Sequence, residues 1–132
     1  MTAMPASSAM SATGSDRRRA VIDEDHLGRM TLGDRRLERD VLEIFVRQTA
    51  IMIERISGAE PALAAAAAHT LTGSARGIGA WRVARAAEQL ECVASGKSGA
   101  AALDEAVEEL KSATMEASAA IAARLGDVVR DH

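Results

Sequence analysis

The residues of this chain best arranged for chemistry are His69, Thr72, Gly73 and Arg76. They lie in the run His69-Thr70-Leu71-Thr72-Gly73-Ser74-Ala75-Arg76-Gly77-Ile78-Gly79-Ala80. A helix phased on Leu63, Ala67, Leu71, Ser74 and Ile78 turns one stripe toward a core, and at about 100° per residue His69 falls roughly opposite it. Arg76, seven residues on, lies about 20° around from the histidine. Thr72 and Gly73, three and four residues on, lie beside it, and Ala65 and Ala68 complete the surround. The pattern presents one imidazole on a low surface with a cation nearby, open to another protein. A neutral imidazole has one ring nitrogen with a free lone pair, which suits it to nucleophilic attack or proton transfer.

Other chemistries lack their partners. His26, His69 and His132 have no metal-ligand spacing, and neither a CxxC nor an HExxH run occurs. Cys92 has no histidine at a recognised offset and is expected to be a small buried core residue. The glycines from Gly73 to Gly79 lack the Gly-Lys-Ser/Thr ending and the preceding strand of a phosphate-binding loop. Trp81 is expected to pack between helices.

The same run resembles the signature of histidine-containing phosphotransfer (HPt) domains, roughly His-x-Leu-Lys-Gly-Ser-Ser/Ala-x-x-aliphatic-Gly-Ala. His69, Leu71, Gly73, Ser74, Ala75, Ile78, Gly79 and Ala80 match it, and the likeness extends more loosely from about Ile22 to the C-terminus. The resemblance implies that His69 is a phosphoacceptor relaying a phosphoryl group between aspartates of receiver domains. Its partners would be receivers of response regulators and of hybrid histidine kinases, docking over Ala65, Ala68 and Gly73. The lysine that helps hold the phosphoryl group in the family is Thr72 here. Thr72 and Arg76 are therefore the candidate phosphoryl-stabilising residues, with Arg76 supplying the missing charge. Related proteins often place a polar side chain near the histidine from the following helix, and Glu91 stands there. It either orients the ring by accepting a hydrogen bond from the other nitrogen or faces solvent. Magnesium is expected on the partner receiver, and no cofactor or metal on this chain.

The elements that must position these residues read as helices joined by short breaks. Asp23 to Met30 forms a short first helix with Leu27 and Met30 inward. Asp34 is a good N-cap for a long helix in which Leu37, Val41, Ile44, Gln48, Ile51 and Arg55 follow heptad spacing, widened by Phe45, Met52 and Ile56. That helix ends at Ser57-Gly58, and Pro61 opens the histidine helix, where proline is tolerated in the first turn. Gly77 and Gly79 interrupt it. The next helix begins near Ala80, with Trp81, Ala84, Ala87 or Glu88, and Glu91 on one face. After the loop Gly96-Lys97-Ser98-Gly99 a final helix carries Leu103, Val107, Leu110, Thr114, Ala117, Ile121, Leu125 or Arg124, and Val128 inward. The expected fold is all-α: an antiparallel up-down four-helix bundle with a short extra N-terminal helix, occupying residues 22–132.

Composition agrees. The chain has 132 residues, enough for one core, and Phe45 and Trp81 are its only aromatic residues, so that core must be aliphatic and alanine-rich. A net charge of -3 gives no field that favours nucleic acid. No stretch reaches the length of a membrane span, the N-terminus lacks the continuous apolar core expected of a secretory signal, and one cysteine suits a reducing compartment, so a cytoplasmic location is expected. A monomer is expected as well, with dimerisation through the apolar helices left open. Residues 1–21 are expected to be a flexible tail carrying the basic cluster Arg17, Arg18 and Arg19.

Two functional classes follow: a phosphorelay intermediate, or a non-catalytic helical adaptor that docks receivers without efficient transfer. A sensor-kinase dimerisation domain fits less well, because Thr70 stands where an acidic residue usually follows the histidine. Nothing in the sequence provides for ATP binding, so the chain is expected to be a phosphocarrier and not a kinase.

Overall fold

The computed structural model describes residues 21–130, so the tail expected over residues 1–21 lies outside the described residues except for Val21, which packs against the core. Five helices follow in order: α1 (Glu24–Met30), α2 (Arg35–Ile56), α3 (Pro61–Ile78), α4 (Trp81–Ser95) and α5 (Ala100–Arg130). No strand occurs among the described residues. Neighbouring long helices run antiparallel because each connection is only a few residues long. α3 packs between α2 and α4, α5 closes the bundle against α4 and α2, and α1 lies across α3.

Local chemistry sets the helix ends. The Asp23 carboxylate accepts from the His26 backbone N–H at 3.1 Å, and Asp34 accepts from that of Leu37 at 3.0 Å, each satisfying a donor that helix geometry leaves free. Pro61 starts α3 where its missing N–H costs nothing. Gly77 does not interrupt that helix; α3 runs through it and stops at Gly79, whose φ of 81° is left-handed. There the Ala80 N–H donates to the Ala75 carbonyl at 2.9 Å, and the Gly79 N–H to that of Arg76 at 3.3 Å. A Cβ on Gly79 would also lie 2.9 Å from the Cβ of Asp23, so glycine is required there by both backbone and neighbour.

The core is built from Leu42, Phe45 and Ile56 of α2, alanines with Leu71 and Ile78 of α3, Val83 and Leu90 of α4, and Leu110, Ala117 and Ile121 of α5. Several helices are rotated from the phase that the sequence suggested. In α2 the heptad seam lies at the edge of the buried face: Leu37, Ile44 and Ile51 are exposed and Val41 is half-buried against the core, while Leu42, Phe45, Thr49 and Ile56 point inward. Two apolar stripes of similar period compete there, and the one holding Phe45, the bulkiest fully buried side chain, wins. In α3, Leu63 is exposed and the inward face is Ala64, Ala67, Ala68, Leu71, Thr72, Ala75 and Ile78. Alanine is nearly neutral as a phase marker but permits close helix approach, so packing chose the face. In α4 the inward residues are Val83, Ala84, Ala86, Ala87 and Leu90, which turns Cys92 to the surface instead of the core. Met30 is likewise exposed. α5 follows its expected stripe, with Leu110, Thr114, Ala117 and Ile121 buried and Leu103, Val107 and Leu125 partly so. The Val128 side chain lies outside the described residues.

Candidate phosphotransfer site

α3 carries His69 on the face turned from the core, with 76% of its side chain exposed. Glu91, on α4, has a carboxylate oxygen 3.0 Å from the His69 Nδ1. An ionised carboxylate can only accept, so Nδ1 carries the proton and donates, leaving Nε2 with the lone pair. Among the described residues Nε2 has no hydrogen-bond partner. The arrangement fixes both the tautomer and the direction of the ring, and it points the nucleophilic nitrogen at solvent.

Arg76 lies two turns further along the same helix and donates from a terminal guanidinium nitrogen to Glu88 Oε1 at 2.6 Å. Both partners are about half exposed. Glu88 and Glu91 are one turn apart on α4, so their side chains are neighbours. The Cα atoms of His69 and Arg76 are separated by about 10.5 Å of helix rise, but their partners are separated by only about 4.5 Å. The imidazole and the guanidinium of α3 are thus each held by a carboxylate of α4, and those carboxylates stand one turn apart.

The other expected site residues divide. Gly73 is exposed on the histidine face, and a Cβ there would meet nothing within 4 Å. Ala65 is half-buried beside it. Ala68 is fully buried and has no surface to offer a partner, which corrects its assignment to the docking face. Thr72 is also turned inward: 6% of it is exposed, and its hydroxyl donates to the Ala68 carbonyl at 2.9 Å. With the helix rotated toward its alanines, position 72 falls on the edge of the buried face, and its side chain does not reach the open surface beside His69.

Sequence reasoning missed Glu88 as the partner of Arg76 and missed the brace at the end of α3. The His26 Nε2 donates to the Arg76 carbonyl at 2.8 Å, and its ring packs on Trp81 with centroids 4.9 Å apart. The Trp81 indole N–H donates to Asp23 at 2.9 Å, and the Asp23 backbone N–H to the Gly79 carbonyl at 3.0 Å. α1 thereby holds the last turn of α3, from which Arg76 projects. The spacing of Glu88 and Glu91 was the one available signal, since a carboxylate pair one turn apart suits two groups on a facing helix. Among the described residues no cluster of three or more His, Cys, Asp or Glu could hold a metal ion, and no helix is long and apolar enough to cross a membrane.

Comparison with known proteins identifies the family and the fold. The family model for the Hpt domain matches residues 40–129, from within α2 to near the end of α5. Among solved structures, a rice protein assigned as a histidine-containing phosphotransfer protein superposes with a TM-score of 0.72 at 14% identity. The alignment covers 94% of this chain and 93% of the rice chain, a likeness of fold. No curated protein matches.

Proposed function

This chain belongs to the Hpt domain family, whose role is histidine phosphotransfer in phosphorelays, and on that premise we propose that His69 is its phosphoacceptor, exchanging a phosphoryl group with aspartates of receiver domains. The observation that carries this reading is the exposed imidazole with Nδ1 held by Glu91 and Nε2 open.

The chemistry needs little from the protein. The Nε2 lone pair attacks the phosphorus of a receiver's aspartyl phosphate in line. The P–O bond breaks, its electron pair stays on the aspartate oxygen, and a P–N bond forms. The ring becomes cationic and keeps its Nδ1 proton against Glu91, so no proton has to leave. The reverse step expels the same neutral tautomer, which keeps transfer reversible. The transition state is loose, so positioning and charge neutralisation provide most of the catalysis. Glu91 is a positioning residue. Arg76 supplies the cation beside a phosphoryl group that adds up to two negative charges. Gly73 and Ala65 keep the approach low for a docking receiver. Magnesium belongs to the receiver's own aspartate site. The chain acts as a monomeric phosphocarrier in the cytoplasm and draws its phosphate from partners.

The test is incubation with phosphorylated receiver domains, following label onto this chain. Label on wild type and none on His69→Gln is the expected result; equal labelling of both overturns the assignment. Threonine at position 72 leaves no cation one turn after the histidine, and its hydroxyl is turned to the Ala68 carbonyl, which favours the docking-only adaptor as the second reading. Stable receiver binding without label uptake would establish it.

A further inference from the structure

Arg76 is already occupied in the unphosphorylated protein. Its guanidinium is held by Glu88 at 2.6 Å, and Glu88 stands one turn from the glutamate that holds His69. Arg76 shares the histidine face of α3, so it is the cation available to a phosphoryl group on Nε2. The phosphoryl group carries more charge than Glu88 and three acceptor oxygens, so it competes for the same guanidinium. Both members of the ion pair are about half exposed, a setting in which such pairs are weak and exchange partners readily.

We propose that Glu88 is a positioning residue that competes with the phosphoryl group for Arg76, so that Arg76 moves from Glu88 to phosphorylated His69 and Glu88 limits the lifetime of the phosphohistidine. This rests on the reading of His69 as phosphoacceptor. In the free protein the ion pair holds the guanidinium against α4, one turn from the glutamate that orients the imidazole. In the phosphorylated protein Arg76 leaves Glu88 for the phosphoryl oxygens, and the ion pair is given up. The competition favours onward transfer to a receiver. Neither covalent step changes: the P–N bond still breaks with its electron pair returning to Nε2, and the phosphoryl group passes to the receiver's carboxylate.

The exchange requires Arg76, and that makes it separable from a simple charge effect of Glu88. The substitutions E88Q, R76A and both together are compared, with phosphoramidate as the phosphoryl donor. E88Q is expected to lengthen the phosphohistidine lifetime about two- to fivefold, the range set by an exposed ion pair, and R76A to shorten it. E88Q is expected to have no further effect in the R76A background, while E88D, which keeps the charge, stays close to wild type. The side-chain Nε–H resonance of Arg76 is expected to shift on phosphorylation of the wild-type chain, a change that a merely structural pair would not show. An equal effect of E88Q with and without Arg76 overturns the exchange, as does an unmoved Arg76 resonance in a chain labelled on His69. Failure to label His69 at all overturns the phosphoacceptor reading and this inference together, so the two failures are distinguishable.

Discussion

The Glu91 carboxylate lies 3.0 Å from Nδ1 of His69, so a residue of α4 determines which nitrogen of an α3 histidine is free. Replacing Glu91 tests this directly. Glu91→Ala is expected to slow label uptake roughly tenfold or more, as loss of a ring-orienting partner does elsewhere. Glu91→Gln, which still offers an amide oxygen, should lose less. Rates measured with one phosphorylated receiver at saturating concentration separate the two, and unchanged rates in both variants would remove Glu91 from the mechanism.

Gly73 offers a substitution whose effects on folding and function should have opposite signs. It is helical, exposed and clear of neighbours, so Gly73→Gln should stabilise α3 by up to about 1 kcal/mol through helix propensity. The same side chain would stand on the docking face and weaken receiver binding. Thermal unfolding and a binding titration together check the prediction; unimpaired binding would move the docking face elsewhere.

Lysine at position 72 should not restore the charge that the family signature places there. Thr72 is 6% exposed and its hydroxyl is committed to the Ala68 carbonyl, so Thr72→Lys must push an ammonium out of a packed helix edge. Lower stability is expected, with little recovery of transfer in the Arg76→Ala background. Recovery to the wild-type rate would show that the side chain reaches the site.

Asp23 ties α1 to the end of α3, and its titration should register in stability. The Trp81 indole N–H holds its carboxyl below the usual 3.8, with the His26 backbone N–H adding to this and burial opposing it. The folded-state value is depressed, so the contribution is fully present above pH 3.8 and is lost as pH falls through the folded value. Denaturation midpoints measured from pH 6 down to pH 2 should fall less steeply in Asp23→Asn than in wild type. Parallel profiles would exclude this carboxyl as a contributor.

The rotation of α2 separates two nearly equivalent sequence patterns. Phe45→Ala should cost about 3–5 kcal/mol, because Phe45 is 2% exposed in the core. Ile44→Ala, one residue away and 55% exposed, should cost no more than about 1 kcal/mol. Chemical denaturation of the two variants decides the phase of the helix.

What the sequence determined by itself is local. Asp23, Asp34, Pro61 and Gly79 mark helix ends because capping and backbone conformation depend on a few adjacent residues. The run from His69 to Ala80 marks the family, and the turn toward solvent of His69 follows from the helical period. Tertiary structure decided which face of each helix points inward. α2 has two apolar stripes and α3 is mostly alanine, so burial on one helix alone does not choose between nearby phases; the neighbours do. That choice buried Ala68 and Thr72, exposed Ile44 and Cys92, and set Glu88 and Glu91 against Arg76 and His69. Pairings between residues twelve and twenty-two positions apart depend on the register of two packed helices, and only the folded bundle sets that register.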